Sequence, residues 1–483
     1  MKKIHLIASI LSIAMIICSC KKTEDDVIPD YSGASKLTIF FVNDQHGQIN
    51  NFSKIKYIVD LEKQLNSVIV VCSGDIFSGN PVVDYYDEKG YPMIDLMNRS
   101  GFNVSVVGNH EYDYGEEVLK DRMEQANFAW VCANVDYDGT EVPEPYEYYT
   151  LAIDSFRVTF LGLTETNGKD NGTIPSTHPF RVQNFSFQRP ESVVAQYANV
   201  KEQENADLYI ALTHLGHDGY GVSLGDYELA DQFPYFDLII GGHSHSEQNT
   251  SVNGIPIFQS GSYLNKLGKI KLLVQEKVLV HTDFELIDLS SYTAEDAGLK
   301  AIIEQYNESM AVVLDEVIGY SHLNHQKSQV GCFYTDALRQ RMDVDVSFQN
   351  SGGIRAGLNQ GDITVGEVYA FDPFDNGAVI YEMTVSDIKA FLKGSGSGFY
   401  YSGIRISQDA NSVVIRDMNN TVIPNSSILR VGINDYIPAV YDNYFPAVGD
   451  IQAYTTAEAI MYYLENINDQ VNYPDCEHFF VYQ

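Results

Sequence analysis

Basic residues are scarce in this chain: 31 lysines and arginines stand against 65 aspartates and glutamates, a formal net charge of −34 at pH 7. A surface this acidic repels DNA, RNA and anionic lipid, which argues against polymeric nucleic acid as a partner. A small anionic substrate would be repelled as well, unless its binding site carries positive charge. Bound metal cations supply such charge locally.

Cysteine is also scarce, and its six positions show no spacing typical of a metal site. Two cysteines fall in the leader segment, and the other four lie far apart along the chain. Cys72 and Cys132 occur in apolar, strand-like runs, where cysteine serves as a small core residue. We therefore expect no disulfide framework and a fold stabilised mainly by its hydrophobic core. The six are Cys18, Cys20, Cys72, Cys132, Cys332 and Cys476.

Beyond the leader, no apolar run approaches the length needed to cross a bilayer. In the leader, two lysines precede an apolar stretch over 4–17 that is too short for a stable anchor, as in an export signal. It ends in Ile17-Cys18-Ser19-Cys20, which resembles the bacterial lipobox, with Cys20 as the residue that would be diacylated. An ordinary secretory signal cleaved nearby is the alternative.

A basic-then-acidic stretch over 21–26 follows the leader. It resembles the signal that sends some lipoproteins to the outer cell face, and a solvated linker is the alternative. We therefore expect an exported lipoprotein of the outer membrane, cell surface or periplasm, held to the membrane only through Cys20.

The length of 483 residues exceeds what one hydrophobic core usually holds, so two large domains are expected. Hydrophobic content of 45% with 20% charged residues is typical of a globular protein. No internal repeat or low-complexity tract is present. We place a leader at 1–20, a tether at 21–35, a first domain at 36–290, a linker helix at 291–315 and a second domain at 316–483.

Continuous apolar runs alternate with helical patterns in the first domain. Strands that are apolar on both faces are buried on both faces, which indicates a layered α/β domain. Helices are expected around 55–65 and 93–99, and a connecting helix around 294–314. Predicted strands lie at 37–42, 67–72, 104–107, 158–163, 208–212 and 236–240.

Metal-ligand residue types directly follow five of these strands. The carboxyl ends of strands in a layered α/β sheet share one edge, where ligands bind, so we expect these side chains to meet. Carboxylates, imidazoles and an amide oxygen can share two divalent cations about 3.5–4 Å apart, an arrangement that activates water and stabilises phosphoryl charge. The residues are Asp44, His46, Asp75, Asn109, His110, His214, His243 and His245.

The order of these motifs resembles the calcineurin-like metallophosphoesterases, and over nearly the whole mature chain it resembles the 5′-nucleotidase family. The resemblance implies an α/β fold: an N-terminal four-layer-type metallophosphatase β-sandwich flanked by helices, plus a C-terminal α/β substrate-binding domain. It implies two divalent cations (Mn, Zn, Co or similar), with Asp75 bridging them. The implied ligands are Asp44, His46, Asp75 and His245 for one cation, and Asp75, Asn109, His214 and His243 for the other.

His110 is not a ligand in the family. The resemblance implies that it stabilises the transition state or protonates the leaving oxygen, with Asp113 orienting its ring. A helix or turn cap is the alternative role of Asp113. His217 matches no family ligand and is expected to be a loop residue.

The second domain has motifs that resemble the family's substrate reader. Asn350-Ser351-Gly352-Gly353-Ile354-Arg355 resembles a glycine loop whose Asn meets the base and whose Arg grips the phosphate. Phe374 and Tyr436 match the two rings of an aromatic clamp, which would hold a base at about 1–3 kcal/mol per stacking contact. A turn and two core aromatics are the alternatives. The implied substrate-binding residues are Asn350, Gly352, Gly353, Arg355, Phe374, Tyr436 and Asp442.

Two departures affect the substrate rather than the hydrolysis. Glycines that flank the family's ribose-binding Asp are absent around Asp442, and a further Arg is replaced by the stretch 324–327. The expected function is metal-dependent hydrolysis of nucleoside 5′-phosphates to nucleoside and phosphate. Alternatives are a cyclic-nucleotide phosphodiesterase or UDP-sugar hydrolase on the same metals, and a surface nucleotide-binding lipoprotein. The sequence leaves the native metal and oligomeric state open.

Overall fold

The structure of the protein, a computed structural model, describes residues 33–168, 172–219, 223–409 and 412–483. The expected leader at 1–20, with Cys20, and the tether up to residue 32 lie outside the described residues. Within the described ranges, no helix combines the length and the apolar content needed to cross a bilayer.

The first domain alternates strands and helices up to Ile240 and ends in two antiparallel strand pairs, which cover residues 247–260 and 266–288. Its strands are β1 Ser35–Val42, β2 Ser67–Cys72, β3 Val104–Val106, β4 Ala129–Val131, β5 Val135–Asp136, β6 Tyr148–Ile153, β7 Phe156–Thr164, β8 Ser186–Phe187, β9 Leu208–His214, β10 Leu238–Ile240, β11 Glu247–Val252, β12 Ile255–Ser260, β13 Lys266–Gln275 and β14 Val278–Asp288. Its helices, with the connecting helix, are α1 Phe52–Lys63, α2 Pro81–Asp84, α3 Tyr91–Ser100, α4 Glu116–Gln125, α5 Pro190–Val193, α6 Val200–Gln203, α7 Asp226–Gln232 and α8 Ala297–Leu314.

Two six-stranded sheets stack face to face in this domain. One has the order β14-β13-β1-β2-β3-β4, and the other has the order β11-β12-β10-β9-β7-β6. Phe41 and Phe160 belong to the core between the sheets, whereas Phe40 packs with α1, α3 and α4 on the outer face of its sheet. Leu229 of α7 packs on the outer face of the other sheet. The predicted four-layer sandwich is therefore confirmed.

The strands that precede the metal-ligand residues are parallel neighbours. In one sheet β1 pairs with β2 and β2 with β3, and in the other β9 pairs with β10, all in parallel. Each predicted strand is present, with its ends shifted by at most two residues. The edge strands β11 and β14 were not predicted, because their residues are mostly exposed or only half-buried and form no continuous apolar run.

Helix α8 connects the two domains. Asp296 caps it by accepting a hydrogen bond from the Leu299 backbone N–H at 2.7 Å. Its buried residues Leu299, Ile303 and Tyr306 belong to the core of the first domain. The helix therefore lies inside the predicted linker range 291–315 but packs on the first domain, and the domain bounds remain a prediction.

The second domain is built on another six-stranded sheet, of order β23-β18-β22-β16-β19-β25, with one hydrophobic cluster on each face. Its strands are β15 Val317–Ser321, β16 Val346–Asn350, β17 Gly361–Thr364, β18 Gly377–Thr384, β19 Gly398–Ser402, β20 Arg405–Asp409, β21 Ser412–Arg416, β22 Ile428–Asn434, β23 Asp450–Thr455, β24 Gln470–Val471 and β25 Phe479–Val481. Its helices are α9 Lys327–Met342, α10 Val365–Phe371, α11 Val385–Gly394, α12 Tyr436–Val440 and α13 Thr456–Asn466.

A disulfide joins Cys332 of α9 to Cys476, so the expectation of no disulfide framework was wrong. The two residues are 144 positions apart, and only the packing of the C-terminal segment against α9 brings their Cα atoms to 5.7 Å. Cys72 and Cys132 are free and buried, as predicted. A structural disulfide is typical of proteins exported from the cytoplasm.

Replacing both Cys332 and Cys476 by Ser is expected to lower the free energy of unfolding by about 2–4 kcal/mol, because the crosslink restricts a long loop of the unfolded chain. Thermal melting of wild type and variant, with and without dithiothreitol, measures this effect. Reductant should lower the wild-type midpoint towards that of the variant and leave the variant unchanged. Equal midpoints without reductant would contradict the prediction.

Candidate active site

The ends of five parallel strands place two groups of metal-ligand side chains at one edge of the sandwich. Ligand atoms of the first group lie within 4.8 Å of one another, and so do those of the second. Asp75 belongs to both groups, which is the position of a bridging carboxylate. The first group is Asp44, His46, Asp75 and His245, and the second is Asp75, His214 and His243.

Asn109 completes the second group. Its side-chain oxygen lies 3.1 Å from Nδ1 of His243, and its amide nitrogen donates to the Ser176 carbonyl at 3.1 Å. That donation fixes the amide so that its oxygen faces the group. The structure therefore brings together every metal-ligand residue expected from the sequence.

The backbone at these ligands is strained. Five of them have left-handed φ angles between 48° and 75°, where non-glycine residues cost about 1–3 kcal/mol each. The loops around these ligands are closely packed. At Gly108, for example, a Cβ atom would clash with the Asp75 carboxylate. Strain of this kind persists at sites where function requires it. The five are Asp44, His46, Asp75, His243 and His245.

The donor set at His214 fits a bound cation. Its Nδ1 donates to the Ser73 carbonyl at 2.6 Å, so Nε2 presents a lone pair. That Nε2 is buried, lacks a hydrogen bond of regular geometry, and lies 3.1 Å from Oδ2 of Asp75. Two acceptors at this distance require a positive charge. Burial lowers the pKa of His214, but Asp75 and Asp44 outweigh it and raise the pKa to about 10, so a positive charge is favoured here, either as a proton on Nε2 or as a cation that replaces that proton.

The other three histidines favour the neutral form that binds metals. Burial, followed by the charge of Arg355, lowers the pKa of His46 well below its usual value. Burial lowers the pKa of His245 to about 4 and also lowers that of His243. The Nε2 atoms of His46 and His245 are 2.9 Å apart, and Nδ1 of His46 donates to the Ser78 carbonyl.

Glu111 orders the Asp75 loop, a role that sequence reasoning missed. Its buried carboxylate accepts backbone N–H groups of Gly108, Asp75 and Ile76 at 2.5, 3.1 and 2.6 Å. These bonds join the loop after β2 to the loop after β3. The sequence did contain a signal for this role. Glu111 ends the motif Gly-Asn-His-Glu, where its carboxylate can accept hydrogen bonds from nearby backbone N–H groups.

Asn43 was missed as well. It donates to Oδ2 of Asp44 at 2.6 Å and to the Gly261 carbonyl at 2.6 Å, and its oxygen accepts the Ser260 N–H at 2.7 Å. The side chain thus ties the end of β1 to the end of β12 in the other sheet. It holds the two sheets together where the ligands meet.

His110 and Asp113 form a hydrogen-bonded pair beside the ligands. Nδ1 of His110 lies 2.6 Å from Oδ2 of Asp113, and Nε2 lies 4.0 Å from Oδ2 of Asp75. Thr177 donates to the other Asp113 oxygen at 3.0 Å. Burial lowers the pKa of His110, but Asp113 and Asp75 outweigh it, so the pKa lies above its ordinary value. The two oxygens of Asp113 thus contact the imidazole of His110 and the hydroxyl of Thr177, as a residue that orients the ring would.

A cavity of about 260 Å³ opens above this pair and has walls from both domains. The first domain contributes Asp75, Asn109, His110, Asp113, Ser176, Thr177, His178, Arg181, His243 and His245. The second contributes Asn350, Gly352, Gly353, Arg355, Phe374, Asn376 and Tyr436.

Arg355 and Phe374 face the metal-ligand groups from the second domain. One guanidinium nitrogen of Arg355 is buried and has no hydrogen-bond partner among the residues that the structure describes, although the backbone N–H of Arg355 donates to the Phe371 carbonyl at 3.0 Å. The guanidinium lies 5.6 Å from the Phe374 ring centroid, and that ring stacks 5.9 Å from His110. An unpaired guanidinium inside such a cavity is suited to bind an oxyanion.

Two residues lie elsewhere. Asp442, expected to bind ribose, is exposed at the start of a short 3₁₀ helix and is not among the residues that line the cavity. His217 is 3.0 Å from its neighbour Asp218 and also does not line it, as expected for a loop residue.

Parallel strand ends that gather carboxylates, imidazoles and an amide in a four-layer sandwich define a metal-dependent phosphoesterase. Two family models match the chain: calcineurin-like phosphoesterase over residues 37–247, and 5′-nucleotidase, C-terminal domain, over residues 310–448. The chain belongs to the 5′-nucleotidase family of calcineurin-like phosphoesterases, which are hydrolases.

Several known proteins are similar over most of this chain. A 5′-nucleotidase of Vibrio cholerae is 26% identical, with 89% of this chain matching 90% of that protein. The trifunctional nucleotide phosphoesterase YfkN of Bacillus subtilis is 27% identical over 88% of this chain. The match covers only 33% of the length of YfkN. A 5′-nucleotidase precursor of Thermus thermophilus has the same fold, with a TM-score of 0.78 at 21% identity over 90% of this chain and 97% of that one.

Proposed function

We propose that this protein hydrolyses nucleoside 5′-phosphates to nucleoside and phosphate. One observation carries the proposal: a single cavity joins the metal-ligand groups and His110 on one wall to Arg355, Phe374 and Tyr436 on the other. Residues suited to phosphate chemistry and residues suited to stacking on a base thus face each other across a cavity of about 260 Å³. The similarity to proteins named 5′-nucleotidase supports the same substrate class.

We propose two divalent cations as cofactors. Asp44, His46, Asp75 and His245 would hold one, and Asp75, Asn109, His214 and His243 the other. When bound, the cations would act as Lewis acids on the phosphoryl group and make hydroxide available at neutral pH. The lone pair of His214 that faces Asp75 supports this assignment.

The side chains around the cations have separate tasks. Arg355 would bind a phosphoryl oxygen, and the ring of Phe374, with Tyr436 on the same cavity wall, would stack on the base. The His110 imidazolium, held by Asp113, would stabilise negative charge on phosphorus and protonate the leaving 5′-oxygen of the nucleoside.

The exposed position of Asp442 favours a second candidate function. If that residue does not bind ribose, the sugar end of the cavity differs from the family pattern, and a cyclic nucleotide or a UDP-sugar could occupy it. The chemistry at phosphorus would involve the same ligands.

A substrate panel distinguishes these functions. With Mn²⁺, Zn²⁺ or Co²⁺ present, kcat/KM for 5′-AMP is expected to exceed that for 2′,3′-cyclic AMP and UDP-glucose at least about tenfold, because each well-placed phosphate contact contributes about 1.5–3 kcal/mol. Chromatography of all products measures the rates, because 5′-AMP gives adenosine and phosphate, the cyclic nucleotide gives an adenosine monophosphate, and UDP-glucose gives UMP and glucose 1-phosphate. EDTA should abolish all of them, and added metal should restore them. A higher kcat/KM for UDP-glucose or the cyclic nucleotide would favour the second function.

We also propose that the protein is exported and lipid-anchored at Cys20. The lipobox-like Ile17-Cys18-Ser19-Cys20 supports this, as does the disulfide in the second domain. In a bacterial host, radioactive palmitate should label the wild type and not the Cys20→Ala variant, which should leave the membrane fraction. Cys18→Ala is the matched control and should stay labelled; labelling of Cys20→Ala would contradict the proposal.

A further inference from the structure

A turn of the first domain contacts three different functional parts of the cavity. We name residues 177–181 the bridging turn; it contains the 3₁₀ helix Pro179–Arg181, which His178 caps by accepting the Phe180 N–H at 3.3 Å. Three of its side chains, those of Thr177, His178 and Arg181, line the cavity. No motif in the sequence singled out this segment.

The bridging turn is fixed to the catalytic wall at its start. Thr177 is buried and donates to Oδ1 of Asp113 at 3.0 Å. The preceding Ser176 accepts from the amide of Asn109 and donates its N–H to Glu165 at 2.6 Å. The turn therefore has a defined position relative to the metal ligands and to His110.

Its other end reaches across to the second domain. Arg181 donates from its guanidinium to the Phe374 carbonyl at 2.6 Å. The same guanidinium is 3.9 Å from Oδ1 of Asp113, beyond hydrogen-bond distance. Arg181 is therefore bonded to the segment that carries one aromatic ring, and only loosely to the His110–Asp113 pair.

His178 contacts the segment that carries the other aromatic ring. Because its Nδ1 accepts the Phe180 N–H, its proton is on Nε2, which lies 3.4 Å from Oδ1 of Asp435. Its buried ring is also edge-on to the ring of Tyr436, with centroids 6.0 Å apart. His178 thus lies beside Asp435 and Tyr436 without a hydrogen bond of regular geometry to either. The same turn is hydrogen-bonded to the Phe374 carbonyl.

We propose that the bridging turn is a specificity-determining element that sets the spacing and depth of Phe374 and Tyr436 for the base of the substrate. A base stacked between two rings needs about 7–8 Å between their planes, twice the optimal carbon–carbon separation. The two rings belong to separate segments of the second domain, and the bridging turn contacts both segments. Arg181 donates to the Phe374 carbonyl, and His178 lies beside Asp435 and Tyr436. The inference rests on the proposed hydrolysis of nucleoside 5′-phosphates.

The test compares 5′-AMP with ribose 5-phosphate, which lacks only the base. Arg181→Ala is expected to lower kcat/KM for 5′-AMP about tenfold, mainly through KM, because base stacking contributes about 1–3 kcal/mol per contact. The kcat/KM for ribose 5-phosphate should fall less than about threefold, because the contacts to its phosphate are retained. Arg181→Lys, which keeps a cationic donor, should recover most of the loss.

A double-mutant cycle separates positioning from a general structural role. Once Phe374→Ala has removed the ring, adding Arg181→Ala should cause no further loss with 5′-AMP, because the two residues act through one contact. Arg99→Ala, which removes an exposed arginine of α3, is the control for lost charge. Melting curves check folding, and Arg181→Gln replaces Arg181→Ala if that variant is unfolded.

The outcomes are distinct. Equal losses on both substrates, or additive losses in the cycle, would overturn the inference and leave the proposed function standing. A wild type that hydrolyses 5′-AMP no better than ribose 5-phosphate would overturn the inference alone, and a wild type that does not hydrolyse 5′-AMP would overturn both.

Discussion

Asp75→Ala is expected to lower kcat for phosphoester hydrolysis at least about 10³-fold, because the Lewis-acid stabilisation that depends on this residue is worth several kcal/mol and each 1.36 kcal/mol is tenfold in rate. Asp75 is the one carboxylate common to both ligand groups. Its loss also removes the acceptor that the His110 backbone N–H contacts at 2.9 Å. Asp75 is buried, and its carboxylate is the one that the two groups share.

The variant is measured by steady-state hydrolysis of 5′-AMP and by metal content after gel filtration. We expect bound metal to fall together with activity. Asp60→Ala is the matched control, since it removes a half-exposed aspartate of α1 that forms an ion pair with Lys56, and both quantities should stay at wild-type values. Equal activity of Asp75→Ala and wild type would rule out hydrolysis at this site and favour a nucleotide-binding protein.

The sandwich could be predicted from sequence because its central strands are apolar on both faces. In β1, Phe40 packs outward under the helices and Phe41 packs inward between the sheets, so the run is continuous and easy to recognise. Polar residues directly after such runs lie at one sheet edge by topology alone. That rule is why the metal-ligand residues could be grouped without knowledge of the loops.

Contacts set by tertiary packing could not be predicted in the same way. Cys332 and Cys476 pair across 144 residues, and no local pattern specifies that pairing. The hydrogen bond from Arg181 to the Phe374 carbonyl depends on how the two domains pack. Every residue has a backbone carbonyl, so the sequence does not indicate which one accepts this bond. Glu111 was visible as a residue, but its role depends on three backbone N–H groups that only the folded loops present.

His110→Asn is the second large effect, with an expected loss in kcat of about 10²–10⁴-fold, the usual contribution of a positioned acid or base. His110 belongs to neither ligand group, so we expect metal content to remain at the wild-type level, in contrast to Asp75→Ala. A substrate with a better leaving group, p-nitrophenyl phosphate, should lose less, because it needs no protonation of the departing oxygen. Equal losses on 5′-AMP and p-nitrophenyl phosphate would contradict a role as general acid.

The pH profile tests the same residue through Asp113. Burial lowers the pKa of His110, but Asp113 and Asp75 raise it above the ordinary value, so the imidazolium persists to higher pH. Activity that needs the imidazolium is present below this pKa and is lost as pH rises through it. Asp113→Asn keeps an oxygen 2.6 Å from Nδ1 but removes the charge, so the alkaline limb of kcat should move to lower pH. An alkaline limb that does not move would show that another group controls it.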